Sequence, residues 1–146
     1  MAQIYTADAS AFLRAFNPRE VGHEESRRFF ERVREEAVPL LEPALLLPEI
    51  AAGAARGWDD TALAQALVDA IKQMPYLTLV AIDSVLAGAA ADIAAQHRLR
   101  GSDAVYAAVA LRFGATLVTL DREHLTRLNT LLPVRTPAQA LAEWRA

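Results

Sequence analysis

Two aspartates, Asp103 and Asp121, bracket the stretch Leu99 to Glu123, and each stands where a carboxylate can do chemistry. Ser102 is placed to cap a helix whose first turn holds Asp103. Ala107 and Ala110 follow on the same face, so small side chains let a neighbour pack close beside the carboxylate. Gly114 then ends the helix, and Ala115 to Leu120 reads as a β-rich buried run. Asp121 falls at the C-terminal end of that strand, where open parallel sheets hold their ligands. Asp8 likewise ends a strand predicted over Gln3 to Ala7, and Thr119 shares a strand face with Asp121. Glu49 is the only charge between Ala44 and Ala55, set among leucine, isoleucine and alanine, where an unpaired carboxylate is costly to bury. Gathered at one sheet edge, Asp8, Glu49, Asp103 and Asp121 would repel one another unless cations neutralised them. Magnesium and manganese prefer such oxygens, and with them the chemistry is metal-dependent phosphodiester hydrolysis. Two of these acids also have plainer readings. Asp8 is equally placed to cap the helix after it, and Glu49 to favour the positive end of its own helix.

The elements that must position these acids alternate between strand and helix, which predicts an α/β domain with a mainly parallel sheet. After Asp8, a helix over Ser10 to Phe16 is broken by Asn17 and Pro18. His23 to Ala37 is amphipathic, with Phe29, Phe30 and Val33 towards the core and glutamates and arginines around the rest, a solvated face. Val38 to Leu47 is an apolar run punctuated by Pro39 and Pro43 that contains a short strand. Pro48 fits the first position of a helix reaching Arg56. Asp59 or Asp60 caps Leu63 to Ile71, a strand follows over Tyr76 to Ile82, and Asp83 caps Val85 to His97. Asp83 and Asp92 read as structural acids. Leu125 and Leu128 continue a short helix, Leu131 to Val134 is a last strand, and Pro137 starts a helix through Trp144. His23, His97 and His124 are scattered without metal-ligand spacing, so each reads as surface or capping chemistry.

Composition narrows the classes. The 146 residues are 53% hydrophobic, enough for one domain over 1–146 with a core that needs no staples. Cysteine is absent, which removes disulfides and thiolate metal sites and suits a reducing cytoplasm. No basic leader precedes a long apolar run, and no apolar stretch approaches a membrane span, so a cytoplasmic protein with no membrane partner is expected. A net charge of −3 forecasts no broad grip on nucleic acid, but fourteen arginines against one lysine leave local phosphate-binding patches open. Gly-x-Gly-x-x-Gly, P-loop and Gly-x-Ser-x-Gly signatures are missing, as are repeats.

At four places the sequence resembles the acidic motifs of the PIN-domain ribonucleases: YTADAS, LLPEIAAG, RGSDAVYAAVA and LVTLDRE, in that order. Asp8 with Ser10, Glu49, Asp103 with Ala104 and Ala107, and Asp121 with Thr119 stand where that family carries its acids and their neighbours. The resemblance implies a PIN-like three-layer α/β/α fold with a parallel sheet of five strands. It implies Mg²⁺ or Mn²⁺ held by Asp8, Asp103 and Asp121, with Glu49 as a fourth catalytic acid and Ser10 and Thr119 in support. It also implies endonucleolytic cleavage of RNA. The small single-domain form is similar to VapC toxins, which implies a VapB-like antitoxin as partner and a homodimer.

Two rivals stand beside this reading. A receiver domain is also a small α/β unit with acids at strand ends, but it needs an acidic pair after its first strand and a lysine after a late one. The sole lysine, Lys72, lies in the wrong segment. A catalytically degenerate PIN-like domain that binds RNA or protein without cleaving is the other, and the full acid set argues against it.

Overall fold

Short pieces of extended chain, two to four residues each, make up a sheet in which every neighbouring pair is parallel. The computed structural model describes residues 3–144. Its strands are β1 (Tyr5–Ala7), β2 (Leu40–Pro43), β3 (Leu77–Val80), β4 (Thr116–Val118) and β5 (Val134–Arg135). They form one sheet in the order β3-β2-β1-β4-β5, every pair parallel. Among the described residues eight helices flank it, giving three α/β/α layers: α1 (Ala9–Phe16), α2 (His23–Glu35), α3 (Leu46–Trp58), α4 (Thr61–Lys72), α5 (Ser84–His97), α6 (Gly101–Phe113), α7 (Arg122–Arg127) and α8 (Pro137–Trp144).

The first strand of the chain is the middle strand of the sheet. All three of its residues are buried, as expected for a parallel strand covered on both faces. Tyr5 packs edge-on to Phe29 at 5.1 Å and stacks on Trp144 at 5.5 Å, which draws α2 and α8 onto one face. Helix α6 is buried at Ala104, Tyr106, Ala107, Ala108, Val109 and Ala110. Its alanines let its backbone approach the sheet closely, and Gly114, at φ 65°, caps its C-terminus from a left-handed conformation. Gly53 makes a second close approach. A Cβ there would lie 2.5 Å from Leu13 Cδ1, so α3 leans on α1 and brings Glu49 towards Asp8.

Several predicted boundaries move. Ser102 does not cap α6: the helix starts at Gly101, Arg100 is its N-cap residue, and no side chain bonds the free amides. Pro48 is the third residue of α3, still inside the first turn, where its missing N–H costs nothing. Helix α2 ends at Glu35 and not Ala37, because Ala37 turns to positive φ. Phe30 is only half-buried, against Phe12 at 4.4 Å. The run from Ala115 to Leu120 yields a ladder of only three residues. The last strand is Val134–Arg135, beyond the apolar residues Leu131 and Leu132 that pack beneath it. The caps Asp8, Asp60 and Asp83 all form, each accepting a backbone N–H three residues on.

Candidate functional site

Asp8 follows β1 directly and Asp121 follows β4 by three residues, so the C-terminal edge of the two central strands carries both. The Asp8 carboxylate is buried, and both of its oxygens accept hydrogen bonds. Its Oδ1 accepts from the Ser10 hydroxyl at 2.5 Å and from the Ala11 amide at 3.3 Å, and its Oδ2 accepts from the Thr119 hydroxyl. Those two hydroxyls also accept, Ser10 from the Leu120 amide at 3.3 Å and Thr119 from the Asp121 amide at 3.0 Å. Ser10 and Thr119 therefore stitch the exit of β1 to the exit of β4 and fix the orientation of Asp8. Burial raises the Asp8 pKa above the usual carboxylate value, while the bonds from Ser10, Thr119 and Ala11 and the charge of His124 oppose the rise. Asp8 thus caps α1 and also lines a cavity.

Asp103 projects from the first turn of α6, and Asp121 caps α7 by accepting the Glu123 amide at 2.8 Å. Glu49, in the first turn of α3, accepts the Tyr106 hydroxyl at 2.7 Å. Burial, then the bond and charge of Glu49, push the Tyr106 hydroxyl far above its ordinary pKa, so it stays a donor. Asp8, Ser10, Glu49, Asp103, Asp121 and His124 line one cavity of about 440 Å³. The structure thus brings the four sequence-predicted acids to one place, with Thr119 buried behind Asp8.

His124 is a correction: it is neither a surface residue nor a cap. Its Nε2 lies 3.2 Å from Asp103 Oδ2 and 3.5 Å from Asp121 Oδ2, and its Nδ1 lies 3.9 Å from Asp8 Oδ2. Burial alone would lower its pKa, but the bond and charge of Asp103 with the charges of Asp121 and Asp8 prevail, and the value is raised. The sequence does carry the signal, because Asp121 and His124 are three apart at a helix start and so share a face. His23 and His97 bear out the capping expectation, each with Nδ1 2.9 Å from a backbone carbonyl.

Glu42, an acid inside the apolar run Val38 to Leu47, is fully buried on β2. Its Oε2 accepts the Ala7 amide at 2.7 Å, and its Oε1 has no partner among the described residues. Burial pushes its pKa well above the glutamate range, the Ala7 bond opposes this, and the charge of Asp8 adds to it.

The donor chemistry of the cavity fits a hard divalent cation, since carboxylate oxygens from four elements face it. It is not a ready-made cage. Among the described residues no group of three or more acidic or histidine side chains is arranged to hold an ion, and His124 stands between the aspartates.

Comparison with known proteins gives the class. The PIN domain family matches residues 5–130, from the start of β1 to the turn before β5, and the chain belongs to that family. Solved structures share the fold at low identity. VapBC2 from Rickettsia felis, bound to a DNA fragment from its promoter, is 15% identical with a TM-score of 0.69, over 92% of this chain and 98% of that one. VapC20 from Mycobacterium tuberculosis, a sarcin-ricin loop cleaving toxin, is 16% identical with a TM-score of 0.69, over 80% and 89%. PAE2754 from Pyrobaculum aerophilum is 23% identical with a TM-score of 0.67, over 99% and 90%. A search of curated proteins found no match. Among the described residues no helix is long and apolar enough to cross a membrane.

Proposed function

We propose that this chain is a divalent-metal-dependent endoribonuclease of the VapC kind, the toxin of a toxin–antitoxin pair, built as one domain over residues 1–146 and acting in the cytoplasm. The observation that carries the reading is the facing of Asp8, Glu49, Asp103 and Asp121 onto one cavity at the sheet's C-terminal edge. Membership of the PIN family supports it, and RNA as substrate is favoured by a structural neighbour named as a sarcin-ricin loop cleaving toxin.

In this reading Asp8, Asp103 and Asp121 hold Mg²⁺ or Mn²⁺, which when bound neutralises charge at the scissile phosphate and lowers the pKa of water. Glu49, fixed by the Tyr106 hydroxyl, orients the attacking water and takes its proton at Oε2, the oxygen Tyr106 leaves free. Ser10 and Thr119 occupy lone pairs of Asp8 and keep its carboxylate from rotating. His124 holds a proton at Nε2 against Asp103, which offsets the repulsion among the aspartates. The partners proposed are a VapB-like antitoxin that lays an arginine over the acidic cavity, and a second copy of the chain in a homodimer.

The test is cleavage of single-stranded RNA by purified protein with Mg²⁺ or Mn²⁺. Activity is expected to vanish in EDTA and in Asp103→Asn, whose far-ultraviolet circular dichroism stays unchanged; cleavage that survives EDTA overturns the metal mechanism. A second reading, a PIN domain that binds RNA or protein without cutting, is favoured by the imidazole seated between Asp103 and Asp121. Metal-loaded protein that binds RNA and leaves it intact selects that one.

A further inference from the structure

Beside the acidic cavity lies a second cleft of about 290 Å³, and the two share Asp103, Asp121 and His124. Arg98, Arg100 and Arg127 also line the second cleft, together with Glu123, whose Oε1 lies 3.8 Å from Arg127 Nη2. Arg127 is held in place: its Nη1 donates to the Arg98 carbonyl at 2.6 Å, while its own carbonyl meets His97 Nδ1 at 2.9 Å. These bonds tie the C-terminus of α5 to α7. Arg98 caps α5 in a left-handed conformation, at φ 56°, which turns the chain sharply before Arg100. Arg98 and Arg100 are both exposed, and among the described residues neither lies within 4.0 Å of a carboxylate. They are therefore not spent on neutralising Asp103 or Asp121.

The start of α6 adds to this. Arg100 is the N-cap residue of a helix of 13 residues, and among the described residues no side chain caps its first amides. An uncapped helix N-terminus carries partial positive charge and free N–H donors, the chemistry that binds phosphate oxygens. Guanidinium forks supply the same preference, with bidentate geometry. Two arginines without a carboxylate partner among the described residues, in a cleft that shares Asp103, Asp121 and His124 with the acidic cavity, match a polyanion whose neighbouring phosphates need different treatment.

We propose that the cleft of Arg98, Arg100 and Arg127 at the start of α6 is a phosphate subsite, which grips the backbone phosphate next to the scissile one in a single-stranded RNA. The proposal rests on the ribonuclease reading for the scissile phosphate, but the subsite itself binds without cleavage. It gives an acidic protein a local grip on RNA, through arginines the overall charge conceals.

The experiment is fluorescence anisotropy of a labelled single-stranded RNA octamer in EDTA, with wild type, Arg98→Ala/Arg100→Ala and Arg98→Lys/Arg100→Lys, across a salt series. The alanine variant is expected to bind about tenfold more weakly, and its slope of log K against log salt to fall by roughly 0.7 for the one phosphate lost. The lysine variant should keep the slope. With wild type and metal, replacing the phosphate next to the cut by a neutral methylphosphonate should raise KM about tenfold and leave kcat within twofold, and the alanine variant should be indifferent to that replacement. Equal affinity and equal salt slope in wild type and the alanine variant overturn the subsite, as does a wild type that does not bind the octamer. Binding with the expected slopes but no cleavage in metal leaves the subsite standing and removes the nuclease reading.

Discussion

Glu42 Oε2 accepts the amide of Ala7 at 2.7 Å, in the place where a continuing parallel ladder would put the carbonyl of Leu41. That carbonyl takes the Thr6 hydroxyl instead, at 2.8 Å. Two side chains have replaced one ladder bond, and β1 parts from β2 one residue before Asp8. On its other side Asp8 still donates its amide to Val118, at 3.0 Å. The acid is thereby released from one neighbour and retained by the other.

Removing the acceptor exposes what it does. Glu42→Ala strands the buried Ala7 amide and opens a cavity, so a loss of at least about 1–3 kcal/mol in urea unfolding is expected. Glu42→Gln keeps an acceptor for Ala7 at nearly the same volume and should recover most of that loss.

The pH dependence of Glu42 has a definite sign. Its folded pKa is raised, so the folded state holds the proton more tightly than the unfolded chain does. The stabilisation is full below the ordinary glutamate value and is lost as pH rises from there through the folded value. Stability measured against Glu42→Gln, which does not titrate, should decline over that window and then level off.

His124 has the same sign in a higher window. With its folded pKa raised above about 6.5, its contribution is complete below that value and disappears as pH climbs through the folded one. His124→Asn in chelator should therefore be less stable than wild type at low pH, with the gap closing in alkali. Divalent metal and the proton on His124 compete for the same carboxylates, so Mn²⁺ should bind wild type more tightly as pH rises, as read by isothermal titration.

Thr119→Val preserves shape and removes one hydroxyl, leaving an Asp8 oxygen and the Asp121 amide without their bonds. A cost of about 1–3 kcal/mol for each group left buried and unpaired is expected in chemical denaturation, with Thr119→Ser restoring both bonds.

Thermal melts of wild type and Asp103→Ala, with chelator and with Mn²⁺, separate ligand from structural acid. At a hundredfold excess over Kd the metal should stabilise wild type by about 2.7 kcal/mol, and the variant should lose most of that gain. No metal effect on wild type removes Asp103 from any ion-binding role.

What the sequence made legible was local or ordered along the chain. Asp83 and Asp60 announce their helices because capping is decided within three residues, and Gly114 announces the end of α6 for the same reason. The alternation of strand and helix with four acids in order was enough to expect a parallel sheet with those acids at one edge. Arg100 and Gly101 misled, because Ser102 had the right chemistry for a cap but stands two residues past the N-cap position. Glu42 was illegible: an acid beside Pro43 reads as a break, and its burial comes from the parting of two strands whose paired residues lie 35 apart in the chain. The imidazole of His124 depends on where α7 begins, which only the short β4 ladder decides.

The central place of β1 has a consequence for how the protein comes into being. On the ribosome, Asp8 and Glu49 emerge before Asp103 and Asp121, and β2 and β3 can dock on one side of β1 while its other edge stays bare. The strand that covers that edge, β4, comes more than a hundred residues later, and Thr119 is 111 residues from the carboxylate it holds. Until then there is no cavity, no clamp on Asp8 and no imidazole among the acids. Translation therefore delivers the assembled site only after β4 and the start of α7 have emerged, and a growing chain passes through a stage whose hazard is an open strand edge.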